Sequence, residues 1–314
     1  MVRDITAGQL TGGLLGSTEV SFHPGRIQGG EYSADTRSAG AVCLLAQVAL
    51  PCAIYAPSKV FLNLKGGTNT NMAPQIDEFT KVFLPNIAKF GFKFDFEVVR
   101  KGFFPKGGGE VNFSLSPVHQ LAAIDMTEVG EVMEVRGWSF SAGSLPVTVA
   151  ERMATACRFH LAGADCRALQ GVNVDIETYR EEHGAAAGSG CGIVLVAKTS
   201  SGCVLGGSAL GSPRVAPEVA GRRAAEELIE AVESGGCVDK YVQDQMIIFM
   251  ALASGESKLV CGPLTLHTRT AIHVAKRITG AKFQVSPSPG THNSWLISCS
   301  GIGLRNPSVS IEKP

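Results

Sequence analysis

The sequence predicts an α/β protein of α+β character, with repeated βα units forming a large domain and a small α/β module inserted into it. Two observations carry this. A short apolar or alternating run, a glycine or proline turn and an apolar helix follow one another four times along the chain. A glycine-punctuated block of different pattern separates the third repeat from the fourth. The large domain is therefore read over 1–162 and 237–314, its first unit incomplete, and the insert over 163–236. The spacing between units is irregular, which excludes a solenoid of fixed period.

In chain order, Glu19–Phe22 reads as a short strand that turns at His23-Pro24-Gly25. Ser38–Leu50 is apolar nearly all round, which predicts a buried helix ended by Pro51. Gln47 is the one strongly polar member of that helix, and it either satisfies buried backbone or points into a site. Val60–Lys65 alternates as a strand and turns at Gly66-Gly67. Pro74 suits the first turn of a helix from Gln75 to Phe90. Strands at Phe92–Val99 and Glu110–Leu115 flank Pro105-Lys106-Gly107-Gly108-Gly109. That turn is either a phosphate cradle or a plain hairpin. It is not a Walker loop, because the required spacing to Lys-Ser/Thr is missing.

The third unit is Val132–Ser141 followed by a helix over Val147–Ala162. The insert reads as a strand over Ala168–Thr178, a flexible loop at His183–Gly190, a hairpin of Cys191–Thr199 with Cys203–Ser208, and an amphipathic helix over Pro217–Ser234. Val238–Ala251 reads as a helix whose polar end groups Tyr241, Asp244 and Gln245 on one side. In the fourth unit, Leu264 and Leu266 alternate around Thr265 as a strand would. Thr268 or Thr270 then caps a helix that begins near His267. A histidine at a helix mouth either faces an anion drawn by the unpaired N–H groups there or is a half-buried packing residue. Strands at Lys282–Val285 and Ser294–Ser300 complete the unit.

Bulk properties narrow the class. The 314 residues are 45% apolar and 18% charged, as in a folded chain with ample core. Basic and acidic residues number 28 each, so a nucleic-acid partner would have to meet a local basic patch. The nine cysteines are scattered and form no C-x-x-C pair. This argues against a disulfide scaffold or zinc ribbon and for a reducing, intracellular compartment. No apolar run is long enough to cross a membrane, and Met1–Gln9 lacks the apolar centre of a signal peptide. His273, six residues from His267, makes a poor metal pair with it. His23, His119, His160, His183 and His292 read as structural.

Several stretches together resemble the RNA 3'-terminal phosphate cyclases. They are Gly29-Gly-Glu-Tyr-Ser-Ala-Asp-Thr-Arg-Ser-Ala-Gly, Leu64-Lys-Gly-Gly-Thr-Asn with Met72-Ala-Pro74, Phe104-Pro-Lys-Gly-Gly-Gly-Glu, Tyr241-Val-Gln-Asp244-Gln245, and Gly262-Pro-Leu-Thr-Leu-His267-Thr-Arg-Thr. The similarity runs from Met1 to about Asn306. It implies ATP-dependent conversion of an RNA 3'-phosphate to a 2',3'-cyclic phosphodiester in three steps. A histidine takes an adenylyl group, passes it to the RNA phosphate, and the neighbouring 2'-hydroxyl then expels AMP. By position, the resemblance assigns His267 as the adenylylated residue. It assigns Gln47, Pro74, Tyr241, Asp244 and Gln245 to ATP, with Tyr241 stacking on adenine. It also implies a divalent cation, Mg2+ or Mn2+, no metal ligand being assigned to any residue, and an RNA partner ending in a 3'-phosphate. It calls for no DNA or membrane partner and leaves the oligomeric state open. Nuclear residence is expected, although no basic localisation run is present.

The sequence departs from the family at its start. Members carry several dozen earlier residues that include a Glu-Gly-Gly-Gly-Gln turn and an arginine-rich stretch, so the opening unit here is expected to be incomplete. The alternatives are a catalytically impaired short form and a cyclase-like RNA-binding or ribosome-biogenesis protein. His267 speaks against the ribosome-biogenesis reading, whereas a non-catalytic RNA binder would keep its hold on RNA ends after His267→Ala. An enolpyruvyl transferase would share the architecture but not the Pro-Leu-Thr-Leu-His stretch.

Overall fold

The computed structural model describes residues 1–289 and 293–310; His292 lies outside them. Three sheets, each faced by helices, make up the body of the molecule. The first has five strands in the order Ala186–Ala187, Phe94–Gly102, Gly109–Leu115, Val60–Gly66 and Gly30–Asp35. The second has the order Val204–Leu210, Gly190–Thr199, Val132–Ala142 and Asn173–Arg180. The third has the order Lys282–Pro287, Trp295–Ser300, Glu256–Cys261 and Asp125–Met126. A two-stranded ribbon, Gln9–Thr11 with Ser21–His23, stands apart from them.

Alternation explains the first sheet. Val60, Leu62 and Leu64 point inward with Val111, Phe113 and Leu115 of the antiparallel neighbour. All six are buried in one core with Phe79, Val82 and Leu84 of the covering helix. That helix is an α–π–α run over Ile76–Glu78, Phe79–Phe83 and Leu84–Ala88. Pro85 has no N–H to offer the carbonyl four residues back, and the ladder widens just ahead of it.

One topology occurs twice. Strand 60–66, helix 76–88, strand 94–102 and strand 109–115 form a unit whose last strand lies between the other two. Strand 256–261, helix 266–279, strand 282–287 and strand 295–300 repeat it. The expectation of units of one kind holds for these two.

The third expected unit differs. Val132–Ala142 runs antiparallel to Gly190–Thr199 and parallel to Asn173–Arg180, so it is a central strand of the second sheet. Its helix, Val147–Gly163, packs with Pro217–Glu233 over the same sheet, where Val135, Ile193 and Leu195 meet Ala154, Cys157 and Leu228. A Cβ on Gly221 would come within 2.1 Å of the Met153 carbonyl, so the two helices cross in close contact at that glycine. The boundary drawn between 162 and 163 thus falls inside one sheet and its helical layer.

Other expectations are corrected locally. The helix at Val42–Ala53 runs through Pro51, and its outer face leaves Leu44 48% and Val48 53% exposed. Strand Asn173–Arg180 starts later than the expected 168. The segment expected as a flexible loop contains Ala186–Ala187, which pairs in parallel with Lys101–Gly102 of the first sheet. That junction is reinforced by buried Lys101. Its Nζ lies 2.6 Å from Asp77 and 2.9 Å from Glu181, donates to Tyr179 Oη at 3.1 Å, and sits over the Phe140 ring.

Candidate active site

His267 is the second residue of the helix Leu266–Thr279. Leu264–Leu266 is not a strand: the alternation is a loop that enters the helix, and Leu266 is largely exposed. Neither Thr268 nor Thr270 is the cap. Thr265 is the N-cap, its Oγ1 accepting from the Thr268 N–H at 3.1 Å. The first bond of the backbone ladder is Arg269 N–H to Thr265 O, so the N–H groups at Leu266 and His267 face out of the helix end. The imidazole is exposed there. Ile272 and Ala275 anchor the opposite face of the helix in the core, and Gly280 closes it in the left-handed conformation at φ 78°.

The facing wall is the segment from Val238 to Gln245. It is a series of turns, and regular helix begins only at Met246. Buried Asp239 shapes these turns. Its Oδ1 accepts from the N–H groups of Tyr241 (2.9 Å) and Val242 (3.0 Å), and its Oδ2 from Gly206 N–H (3.2 Å). Gln245 Nε2 donates to Tyr241 O at 2.6 Å, and Gln47 Nε2 donates to Gln245 Oε1 at 2.6 Å. The Gln47 bond thus goes to a side chain of this wall and not to backbone. Asp244 lies close enough to His267 for the two to interact electrostatically. Burial raises the Asp244 carboxyl above its ordinary range, and the histidine pulls it back down.

Tyr241 is 47% exposed and donates through Oη to Glu227 at 3.0 Å. It lines a cavity of about 530 Å³ together with Gln243, Pro263, Leu264 and Thr265 on the histidine side and Glu227, Glu230 and Lys240 on the other. The cavity reaches the cap of the His267 helix, while His267 itself stands outside the lining. Behind it, Glu78 accepts from Ser208 Oγ at 2.8 Å. Burial, and then the negative charge of Asp239, push Glu78 up to about 8. Asp239 is pushed up to about 6 by burial, against its three N–H donors. Asp239 is the better hydrogen-bonded carboxylate, with three N–H donors, so at neutral pH the proton these two acids retain belongs on Glu78.

Five of the six residues expected at the nucleotide are thus gathered. Gln47, Gln245 and Tyr241 are joined by hydrogen bonds, and Asp244 is near enough to His267 to feel its charge. Pro74 is not joined to them by a polar contact or a shared cavity among the described residues. It precedes the N-cap Gln75 and does not lie in the first turn, while Glu78, four residues on, reaches the electrostatic surroundings of Tyr241. Pattern reading missed Asp239, Gln243, Glu78 and Glu227. The signal available for Gln243 was a second amide in a short polar run. The two glutamates gave none, because their neighbours are distant in the chain.

Gly107–Gly109 form the hairpin alternative. Gly107 N–H donates to Phe103 O at 2.8 Å, and Arg100 Nε donates to Gly108 O at 2.7 Å. His119 Nδ1 bonds Val309 O at 2.7 Å, His160 lies 3.9 Å from Glu226, and His23 pairs with Ser21. All nine cysteines are free. Among the described residues no cluster of three or more His, Cys, Asp or Glu side chains has the arrangement to hold a metal, and no helix is long and apolar enough to cross a membrane.

Comparison with known proteins identifies the family. A family model described as RNA 3'-terminal phosphate cyclase matches residues 1–285. The chain is 38% identical over 306 residues to the RNA 3'-terminal phosphate cyclase of Drosophila melanogaster, covering 98% of this chain and 83% of the relative. It is 37% identical over 299 residues to that of Ignicoccus hospitalis, covering 95% and 83%. It is 35% identical over 289 residues to that of Methanothermobacter thermautotrophicus, covering 92% and 82%. With matches of this extent, the chain belongs to the RNA 3'-terminal phosphate cyclase family.

Proposed function

We propose that this protein uses ATP to convert an RNA 3'-terminal phosphate into a 2',3'-cyclic phosphodiester, with His267 as the adenylylated residue. The observation that carries the assignment is the position of His267 on the first turn of a capped helix, opposite Asp244 and beside the Tyr241 cavity. In the first step an imidazole nitrogen bonds the α-phosphorus and pyrophosphate leaves. An oxygen of the RNA phosphate then bonds that phosphorus and the histidine leaves. Finally the 2'-hydroxyl bonds the terminal phosphorus, loses its proton and releases AMP.

The residues present suit the nucleotide. The half-exposed Tyr241 ring offers a stacking face, and the carboxylates of Glu227 and Glu230 accept from base or ribose donors. The open helix end at Leu266 and His267 suits phosphate oxygens. The Asp244 carboxylate, electrostatically coupled to His267, balances the positive charge the imidazole gains on bonding phosphorus. The described residues offer no dedicated metal cluster, so Mg2+ or Mn2+ would enter with the polyphosphate, where it neutralises charge.

Incubating the protein with ATP labelled at the α-phosphate is expected to yield an acid-labile label that maps to His267. His267→Ala is expected to abolish both the label and RNA cyclisation. A label on another residue, or cyclisation by the alanine variant, would overturn the assignment. Residence in the nucleus belongs to the same reading and is checked by locating a tagged chain in cells.

A further inference from the structure

The wall opposite His267 carries two glutamines beside Asp244. Gln245 is turned to Gln47, and Gln243 is turned inward, only 1% exposed. Its carboxamide grips the entry to the His267 helix at three points. Oε1 accepts from Thr268 Oγ1 at 2.6 Å and from Thr265 N–H at 3.3 Å, and Nε2 donates to Pro263 O at 3.4 Å. The orientation of the amide follows from these partners, since two donors meet the oxygen and an acceptor meets the nitrogen. The Thr268 hydroxyl spends its proton on Gln243. The Thr265 hydroxyl therefore donates to Thr268 Oγ1 at 3.0 Å while accepting the Thr268 N–H. His267 lies between the two threonines that this chain of bonds holds.

We propose that Gln243 is a positioning residue for His267. The Thr265 cap defines where the helix starts, but a cap is internal to its own segment and says nothing about the distance to the opposite wall. Gln243 supplies that distance, because it is one residue from Asp244 and two from both Tyr241 and Gln245. The nucleotide side and the nucleophile side of the gap are thus set by one buried amide. Bond formation to phosphorus needs the reacting atoms in line and nearly in contact, and a misplacement of about 1 Å costs about 100-fold in rate. Gln243 borders the cavity on its histidine side, but its hydrogen bonds go to Pro263, Thr265 and Thr268 and not to His267 or Tyr241, so its loss is expected to act mainly on the rate and less on nucleotide affinity.

This inference rests on His267 being the adenylylated residue. The test is the rate of His267 labelling in a single turnover, measured over a range of ATP concentrations. Gln243→Met, which keeps the volume and removes both polar ends, is expected to lower the maximal rate about 10- to 100-fold, with half-saturating ATP changed less than about threefold. Thr268→Val is expected to do the same, Thr268→Ser to restore the rate to within about threefold, and the double variant to be no slower than the worse single. The Thr268 pair carries the test if Gln243→Met fails to fold. Wild-type maximal rates in Gln243→Met or Thr268→Val would overturn the proposal. So would a change confined to half-saturation, or equal losses in Thr268→Ser and Thr268→Val. A wild-type protein that takes no label on His267 would overturn the underlying assignment, and that outcome is visible before any variant is made.

Discussion

At the scale of single residues, the polar groups that matter most divide by sequence distance. His267, Tyr241, Asp244 and Gln245 were legible because each sits in a short run with its own chemistry. Asp239 and Gln243 sit in the same run, yet their partners are Gly206, Thr265 and Thr268, which no local spacing indicates. Glu78 is further from view, since Ser208, Glu227 and Asp239 reach it from three other stretches. It carries a prediction of its own. A carboxyl that keeps its proton in the folded chain and loses it in the unfolded one makes the folded state bind more protons. Stability therefore falls as pH rises from the ordinary value of 4.5 toward about 8. The slope from this one proton is at most ~1.4 kcal/mol per pH unit. Urea denaturation at several pH values between 5 and 8 is expected to show this decline in the wild type and a shallower one in Glu78→Gln. Identical slopes would remove the proton from Glu78.

At the scale of elements, the helix carrying His267 shows what pattern reading captures and what it misses. Its existence and its end at Gly280 were legible from period and punctuation. Its cap was placed three or five residues late and its lead-in read as strand, because Leu264 and Leu266 mimic an alternation although neither is fully buried. The cap is settled by the Thr265 hydroxyl, a contact invisible to hydrophobic periodicity. The two ends are expected to separate stability from chemistry. Thr265→Ala removes the cap bond and is expected to cost about 1 kcal/mol. Gly280→Ala forces a Cβ into the left-handed region, with open space around it, and is expected to cost about 1 kcal/mol as well. Chemical denaturation is expected to give similar losses, whereas only Thr265→Ala is expected to slow labelling of His267. Equal slowing by both would mean that helix stability alone governs the site. The helix at Val42–Ala53 was misread differently. Its composition is apolar all round, but composition does not say which faces find a partner, and Leu44 and Val48 do not.

Across the whole molecule, the α/β class and the recurrence of one kind of unit were legible, while the membership of the sheets was not. Strand Val132–Ala142 has the same local appearance whichever sheet receives it. Its place beside Gly190–Thr199 is decided by pairing and by the shared helical layer above. The seam between the first and second sheets is held in part by Lys101, whose charge is buried against Asp77 and Glu181. Lys101→Met leaves two carboxylates without their cation and is expected to cost ~3–5 kcal/mol in denaturant unfolding. Changing Asp77→Asn and Glu181→Gln in the same chain is expected to recover much of that loss. A Lys101→Met protein as stable as the wild type would show that the seam does not depend on the charge.

The repeated strand–helix–strand–strand unit bears on the order of events during synthesis. In each copy the strand made last occupies the middle of its sheet, between partners already translated. For the copy that bears His267, the helix is translated before Trp295–Ser300. Until that strand slides between Glu256–Cys261 and Lys282–Pro287, those two strands have no shared hydrogen-bonding partner and the helix has no complete sheet to rest on. The nascent chain therefore passes through a period in which His267 has been made but the sheet beneath its helix has not. The sheet beneath His267 is completed late and all at once, with the insertion of a single strand.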